Sequence, residues 1–450
     1  MHSAVEASLD HAKDDNPAAE PDAVVNTEQV TLVTREDLST VAKESAEPAA
    51  AINTLTKETA LEPIPAGTIT NQPNPRLHST VVLPSFSKNS NFFRNVQWCA
   101  DGSSLLGVTE HASLETLNVE GNEAEIKPRI SLLQPAPILS TAWFPTASAL
   151  DPASYCFVAA IRDTPIKLFD ASDGRVRASY KIVDHRERFI APHCMAFNMY
   201  MNRLYCGFED AIEVFDVHRP GEGTRLHTVP TKKSRDGIRG IISSLAFAPD
   251  WTGTYAAGSF NGAIALYTED TGPQAQSWLE GIEGGVTQIR FNPIQAHIVY
   301  AAFRRTPTIA RWDLRNPSEP EVMYDRGLVS TNQRLGFDVS PDGRWIIAGD
   351  ERGQISVFDA LGEEGRVGTV GAHQDSIGAI NFHPTKPYLV SVSGSRHFED
   401  TGSITSDSEE SEELEDVEVI VTGTGARGSF LQRKNMVPTV VDNSLKLWTL

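Results

Sequence analysis

Residues 243–270 read SSLAFAPDWTGTYAAGSFNGAIALYTED. Apolar residues alternate through SLAF, a Pro-Asp corner follows, a second apolar run (YAAGS) meets an Asn-Gly corner, and a third (AIALY) ends on an aromatic ring and a charged turn. Period-2 alternation places successive side chains on opposite faces of a strand, and Gly, Pro, Asn and Asp supply the reversals. The stretch predicts three short antiparallel strands. Strands this short need neighbours to cover them, so the unit should recur.

It does. Residues 287–315, TQIRFNPIQAHIVYAAFRRTPTIARWDLR, and 335–360, LGFDVSPDGRWIIAGDERGQISVFDA, follow the same plan. First-strand aromatics fall at Trp98, Trp143, Phe197, Phe247, Phe291, Phe337 and Phe382, spaced by 45, 54, 50, 44, 46 and 45 residues. Third strands end at Leu117, Phe169, Phe215, Tyr267, Trp312, Phe358 and Trp448. Seven units of this period resemble WD repeats, which predicts an all-β, seven-bladed β-propeller. The last unit stops at LKLWTL after its third strand, so blade seven needs an outer strand from elsewhere. LHSTVVLPSF (77–86) reads as that strand, closing the ring and removing an exposed edge. From Phe382 to Trp448 the seventh unit takes 66 residues, which implies an insertion over 396–440.

The formal charge of −20 is concentrated in two segments. Residues 1–75 carry 13 acidic and 4 basic side chains with seven prolines and no Phe, Trp or Tyr, a composition unable to bury enough apolar surface to offset ordering entropy. They are expected to form a disordered acidic tail ahead of a propeller over 76–450. Residues 399–426 carry 10 acidic and no basic side chains, so the insertion is expected to be a disordered acidic loop. The remainder is close to neutral, which permits local basic patches. Cys99, Cys156, Cys194 and Cys206 show no metal-type spacing and read as reduced thiols. No apolar run approaches the roughly 18 residues of a membrane span. A soluble intracellular protein is expected.

In a four-stranded blade, a to d from the axis outward, the b–c corners share one end of the propeller with the d–a connections. There the sequence places Arg162 (IRDTP), Arg186 and Arg188 (DHRERF), Lys232, Lys233, Arg235 and Arg239 (TKKSRDGIRG), Arg304 and Arg305 (FRRTP), Arg334 (TNQR) and Arg396 (GSRHF). Phe208, Phe260, Phe303 and Phe398 stand beside the b–c corners. Phosphates need cations and unstacked bases need flat partners, so this end has the composition a single-stranded or looped RNA requires. Exposed basic loops are also common in propellers, and the rings can serve as turn packing.

An Asp or Asn six residues before the third-strand aromatic pins a b–c corner in WD repeats. Asp163, Asn261 and Asp442 fit that spacing, with His373 (GAHQD) the expected partner of Asp442. Ser406, Ser408 and Ser411 in SITSDSEESEE suit an acidophilic kinase. Gly423, Gly425 and Gly428 spell GxGxxG, but no helix pattern follows and the upstream run is polyacidic, so a dinucleotide site is rejected. No catalytic pairing or metal-ligand spacing stands out, and no catalytic residue, metal, cofactor or small-molecule substrate is expected.

RDTPIKLFDASDGRVRASY, RLYCGFEDAIEVFDVHRPG, GIISSLAFAP, YAAGSFNGAIALY, RWDLR, TNQRLGFDVSPDGRWIIAG and SGSRHF followed by an acidic insertion resemble the telomerase Cajal body protein family over residues 76–450. Most copies here lack the WD and GH dipeptides. The resemblance implies a non-enzymatic nuclear WD-repeat scaffold of the Cajal body type. Such a scaffold binds small nuclear or Cajal body RNA, including telomerase RNA, and its ribonucleoprotein proteins; fungal relatives are linked to pre-mRNA splicing. A monomer is expected. The competing reading is a protein-only nuclear adaptor that makes no RNA contact.

Overall fold

The computed structural model describes residues 72–83, 90–121, 124–231, 237–362, 365–400 and 436–450. Among them the regular elements are all strands, and seven small sheets, antiparallel except where the short Gly221–Glu222 strand pairs parallel with Val176–Lys181 at the edge of blade two, form a seven-bladed β-propeller. Blade four shows the plan: Ile242–Phe247, Thr254–Ser259, Ile264–Thr268 and Ser277–Leu279 are strands a to d. The second strands bury every residue in blades one, two and five, at Ser104–Thr109, Cys156–Ile161 and Ile298–Phe303. Their continuous apolar runs follow from coverage of both faces by neighbouring blades.

The core is divided accordingly. Seven apolar clusters of described residues each bridge two adjacent blades, as where Val158 and Leu168 of blade two meet Leu204, Cys206 and Phe215 of blade three. All four cysteines are buried free thiols. Near the start of strand a the register shifts in blades one, two, four, five and seven, between Phe93/Asn95, Ile138/Ser140, Ile242/Ser244, Val286/Gln288 and Ile377/Ala379. Each bulge twists the strand away from regular pairing at the end where the b–c corners lie.

Ring closure matches the sequence. Arg76–Val82 pairs antiparallel with Ser444–Thr449, from Arg76↔Thr449 to Val82↔Ser444, and the order in blade seven is Arg76–Val82, Ser444–Thr449, Tyr388–Ser393, Ile377–Phe382. Residues 84–86 of the expected closing strand lie outside the described residues.

Three features differ from the sequence reading. Phe337 is not the counterpart of the other first-strand aromatics: Trp98, Phe291 and Phe382 pair with the second residue of strand b, but in blade six that place belongs to Val339, opposite Ile346. The two residues share a face, so the period alone could not separate them. The expected insertion begins as ordered structure, because His397–Asp400 pairs with Met436–Thr439 in a two-stranded ribbon. Residues 401–435, with Ser406, Ser408, Ser411 and the three glycines, lie outside the described residues, as do 1–71. At the other boundary Gln72 already donates from Nε2 to the Val367 carbonyl of blade six at 2.9 Å.

Candidate nucleic-acid interface

The b–c corner of blade two, between Cys156–Ile161 and Ile166–Asp170, places Arg162 in solvent. The next residue, Asp163, has φ 59°. The corner of blade five repeats this geometry: Arg304 is half-buried and Arg305 has φ 56°. In both, the threonine hydroxyl closes the turn, Thr164 to the Ile161 carbonyl at 3.1 Å and Thr306 to the Arg304 carbonyl at 3.2 Å. Asp163 is exposed and its side chain has no hydrogen bond among the described residues, so it is not the pin its spacing suggested. What the position requires is a residue in the left-handed region, which aspartate tolerates better than most.

The other expected pins do hold corners. Asn261 donates from Nδ2 to the Arg239 carbonyl at 3.1 Å. His373 Nδ1 lies 3.2 Å from Asp442 Oδ2, and His373 Nε2 lies 2.7 Å from the Ser391 hydroxyl, which accepts from Trp448 Nε1 at 2.8 Å. Burial would raise the Asp442 pKa, but hydrogen bonds from His373, Ser444 and the Gln374 N–H outweigh it and hold the carboxyl well below its ordinary value.

Side chains from three other segments converge on Phe260, at the b–c corner of blade four. The Arg304 guanidinium lies 3.8 Å from the ring centroid and that of Arg334 5.1 Å, while the His193 ring approaches edge-on at 6.2 Å. Arg334 enters from the connection into blade six, yet its Nη1 is 3.5 Å from the carbonyl oxygen of His193, the residue before strand a of blade three. Blades three and six are not neighbours, so Arg334 spans the mouth of the central channel.

The electrostatics are one-sided. Burial pushes the Arg334 pKa down to about 10, and the charges of Arg304 and Arg94 push the same way. Burial and the adjacent Arg305 lower that of Arg304, whose Nε is buried without a hydrogen-bond partner among the described residues. His193 is held below its usual pKa by burial and then by Arg334, Arg162 and Arg304, so it is neutral near pH 7. Arg162, Arg304, Arg305 and Arg334 make no ion pair with a described carboxylate. The acids of the neighbouring blade-six corner are engaged locally: Asp350 accepts from the Arg352 and Gln354 N–H groups, and Glu351 from Ser330 and Thr331.

Other members of the sequence-derived set separate from this cluster. Arg188 pairs with Asp184 at 2.7 Å, and Arg396 pairs with Glu110, which Arg94 also approaches at 3.4 Å. Arg186 is exposed without an ion pair among the described residues, and Lys232, Lys233 and Arg235 lie outside them. Phe208 and Phe303 are buried packing residues, and Phe398 is exposed on the ribbon. Sequence reasoning missed His193 and Arg94. Their signal was position, since each flanks or enters strand a at the channel end.

No family model matches the chain. Telomerase Cajal body protein 1 of Bos taurus is 31% identical over 339 residues, covering 72% of this chain and 62% of that protein. Its counterpart in Mesocricetus auratus is 30% identical over 325 residues, 69% of this chain and 59% of the relative. The chain is a relative of the telomerase Cajal body proteins. It is also similar to guanine nucleotide-binding protein negative regulator 1 of Schizosaccharomyces pombe, 28% identical over 295 residues, 62% of this chain and 73% of that one. The chain spans about three fifths of the length of the Cajal body relatives it matches.

Proposed function

We propose that this propeller is a non-enzymatic nuclear scaffold that binds a small nuclear or Cajal body-type RNA across the end carrying Arg162, Arg304, Arg305 and Arg334. The observation that carries the reading is the cluster on Phe260. Guanidinium groups held together without counter-carboxylates raise one another's energy, and a polyanion relieves that repulsion on binding. Arg304 has one face against Phe260, and the other is a platform on which an unstacked base can lie. Phosphate neutralisation by Arg162 and Arg305 at the flanking corners would set the path of the strand. The relatives' names support a nuclear, ribonucleoprotein-associated role; the RNA class, any part in splicing, and the partner proteins are part of the proposal.

The test is crosslinking followed by RNA sequencing, comparing wild type with Arg162→Glu, Arg304→Gln and Arg305→Glu combined. The wild type should recover small structured RNAs and the variant close to background. The two lost phosphate contacts, at Arg162 and Arg305, should flatten the salt dependence of affinity by a slope of about 1.4 in log–log terms for a single strand. The variant should melt no lower than wild type, because removing unpaired like charges relieves repulsion in the fold. Recovery of equal RNA by the variant would favour the protein-only adaptor.

A further inference from the structure

At the end of the propeller opposite the cation cluster, the loops joining strand a to strand b carry large apolar side chains on four successive blades. They are Leu150 (93% exposed), Tyr200 (56%), Trp251 (53%) and Ile294 (65%), on blades two to five. The Tyr200 and Trp251 rings meet edge to face at 5.6 Å, and the Tyr200 hydroxyl donates to the Trp251 carbonyl at 3.2 Å. An aromatic pair is therefore assembled in advance across a blade boundary. Single exposed apolar residues are ordinary on any surface, but a run of them at the same loop of consecutive repeats is not scattered.

The repeat supplies its own comparison. Trp251 follows Phe247 by four residues, as Met201 follows Phe197, Gly102 follows Trp98 and Gly343 follows Val339. The four residues have φ 61°, 59°, 72° and 71° respectively. One left-handed turn is thus built four times, and two blades use the residue that adopts it freely. A tryptophan there is strained, and an exposed ring recovers little of that cost by burial. Neither the turn nor the core accounts for Trp251. Binding does, because Trp and Tyr dominate interface hot spots and a pair already ordered loses little entropy on contact.

The surrounding charge selects the partner. Asp250 precedes Trp251 and is exposed, and the Glu269–Asp270 corner lies against the same loop, with the Glu269 N–H donating to the Gly253 carbonyl at 3.0 Å. The cation beside them is Arg203, 3.9 Å from Glu269. A net negative surround repels nucleic acid and attracts basic protein. We infer that Tyr200 and Trp251 form a docking site for a protein segment that presents an apolar anchor flanked by lysine or arginine. The site stands apart from the cation cluster and does not depend on the RNA reading.

Trp251→Gly tests this cleanly, since blades one and six show that glycine builds the turn. Random peptides displayed on phage are selected against the full-length protein, then measured against wild type, Trp251→Gly, and the double variant Asp250→Lys, Asp270→Lys. Selected peptides should combine an aromatic or aliphatic anchor with neighbouring lysine or arginine. Their affinity should fall at least about tenfold in each variant, while Trp251→Gly melts at or above wild type and recovers the same RNA. The inference is overturned by a selection that yields no peptide sensitive to Trp251, or by acidic peptides. It is also overturned if Trp251→Gly melts well below wild type, which would assign the ring to stability. Sedimentation showing a wild-type dimer and a Trp251→Gly monomer would make a second copy of the chain the occupant instead.

Discussion

His373 shows how one side chain can be held from both ends of its ring. With Asp442 ionised, Nδ1–H donates to the carboxylate, and Nε2 then accepts from Ser391, whose oxygen accepts from Trp448. The chain of bonds runs in one direction and suits a neutral imidazole, which burial favours. His373→Ala leaves a buried carboxylate and hydroxyl short of partners, so it should cost about 2–3 kcal/mol; an unchanged urea midpoint would refute the assignment. This pair was legible because both its members sit at fixed offsets in the repeat. Asp163 occupies the same offset without the bond, and Arg305, which follows the first arginine of the RRTP turn of blade five as Asp163 follows that of RDTP and shares its left-handed φ, shows that backbone conformation decides that position. Which arginines stay unpaired was not legible at all. Glu110 neutralises Arg396 from 286 positions away, a pairing set by the circular arrangement of blades and by nothing local.

Among the elements, the closing strand makes the sharpest prediction. Deleting residues 76–83 leaves the edge of Ser444–Thr449 unpaired and removes cover from the blade that holds the buried Leu445 and Leu447, so the melting temperature should drop by more than about 10 °C; a drop within 2 °C would show that blade seven is stable with three strands. The strand was readable from the count of strands in the last unit, as were the seven blades from their spacing. The ribbon formed by His397–Asp400 and Met436–Thr439 was not, because a polyacidic composition masks the short pairing segments at its base. The cluster on Phe260 was half legible: sequence gave the corners that carry Arg162 and Arg304, but their convergence on one ring with His193 and Arg334 depends on the diameter of the channel.

For the whole molecule, the seam between blades seven and one also sets a response to acid. His383 donates from Nε2 to the Gly102 carbonyl of blade one, while Nδ1 accepts from the Thr385 and Lys386 N–H groups, so a second proton has no place to go. Burial first, with the Lys386 charge, pushes its pKa down to about 4. In the unfolded chain the group titrates near 6.5, so the stability is complete above that pH and is lost progressively as pH falls from about 6.5 to about 4, on the order of 3 kcal/mol. Differential scanning calorimetry across that range should show the fall, and His383→Gln should flatten it; equal slopes would place the acid sensitivity elsewhere. The same seam has a consequence in time. Arg76 and Thr449 are separated by 373 positions, so during synthesis the first-made strand waits for the last-made one, and no prefix of the chain can close. Every blade made earlier stands in an open arc with an unpaired edge, so folding to a ring is a single late event. A ribosome that stops within the last blade releases a chain whose other six blades are complete in sequence but have no partner to close them.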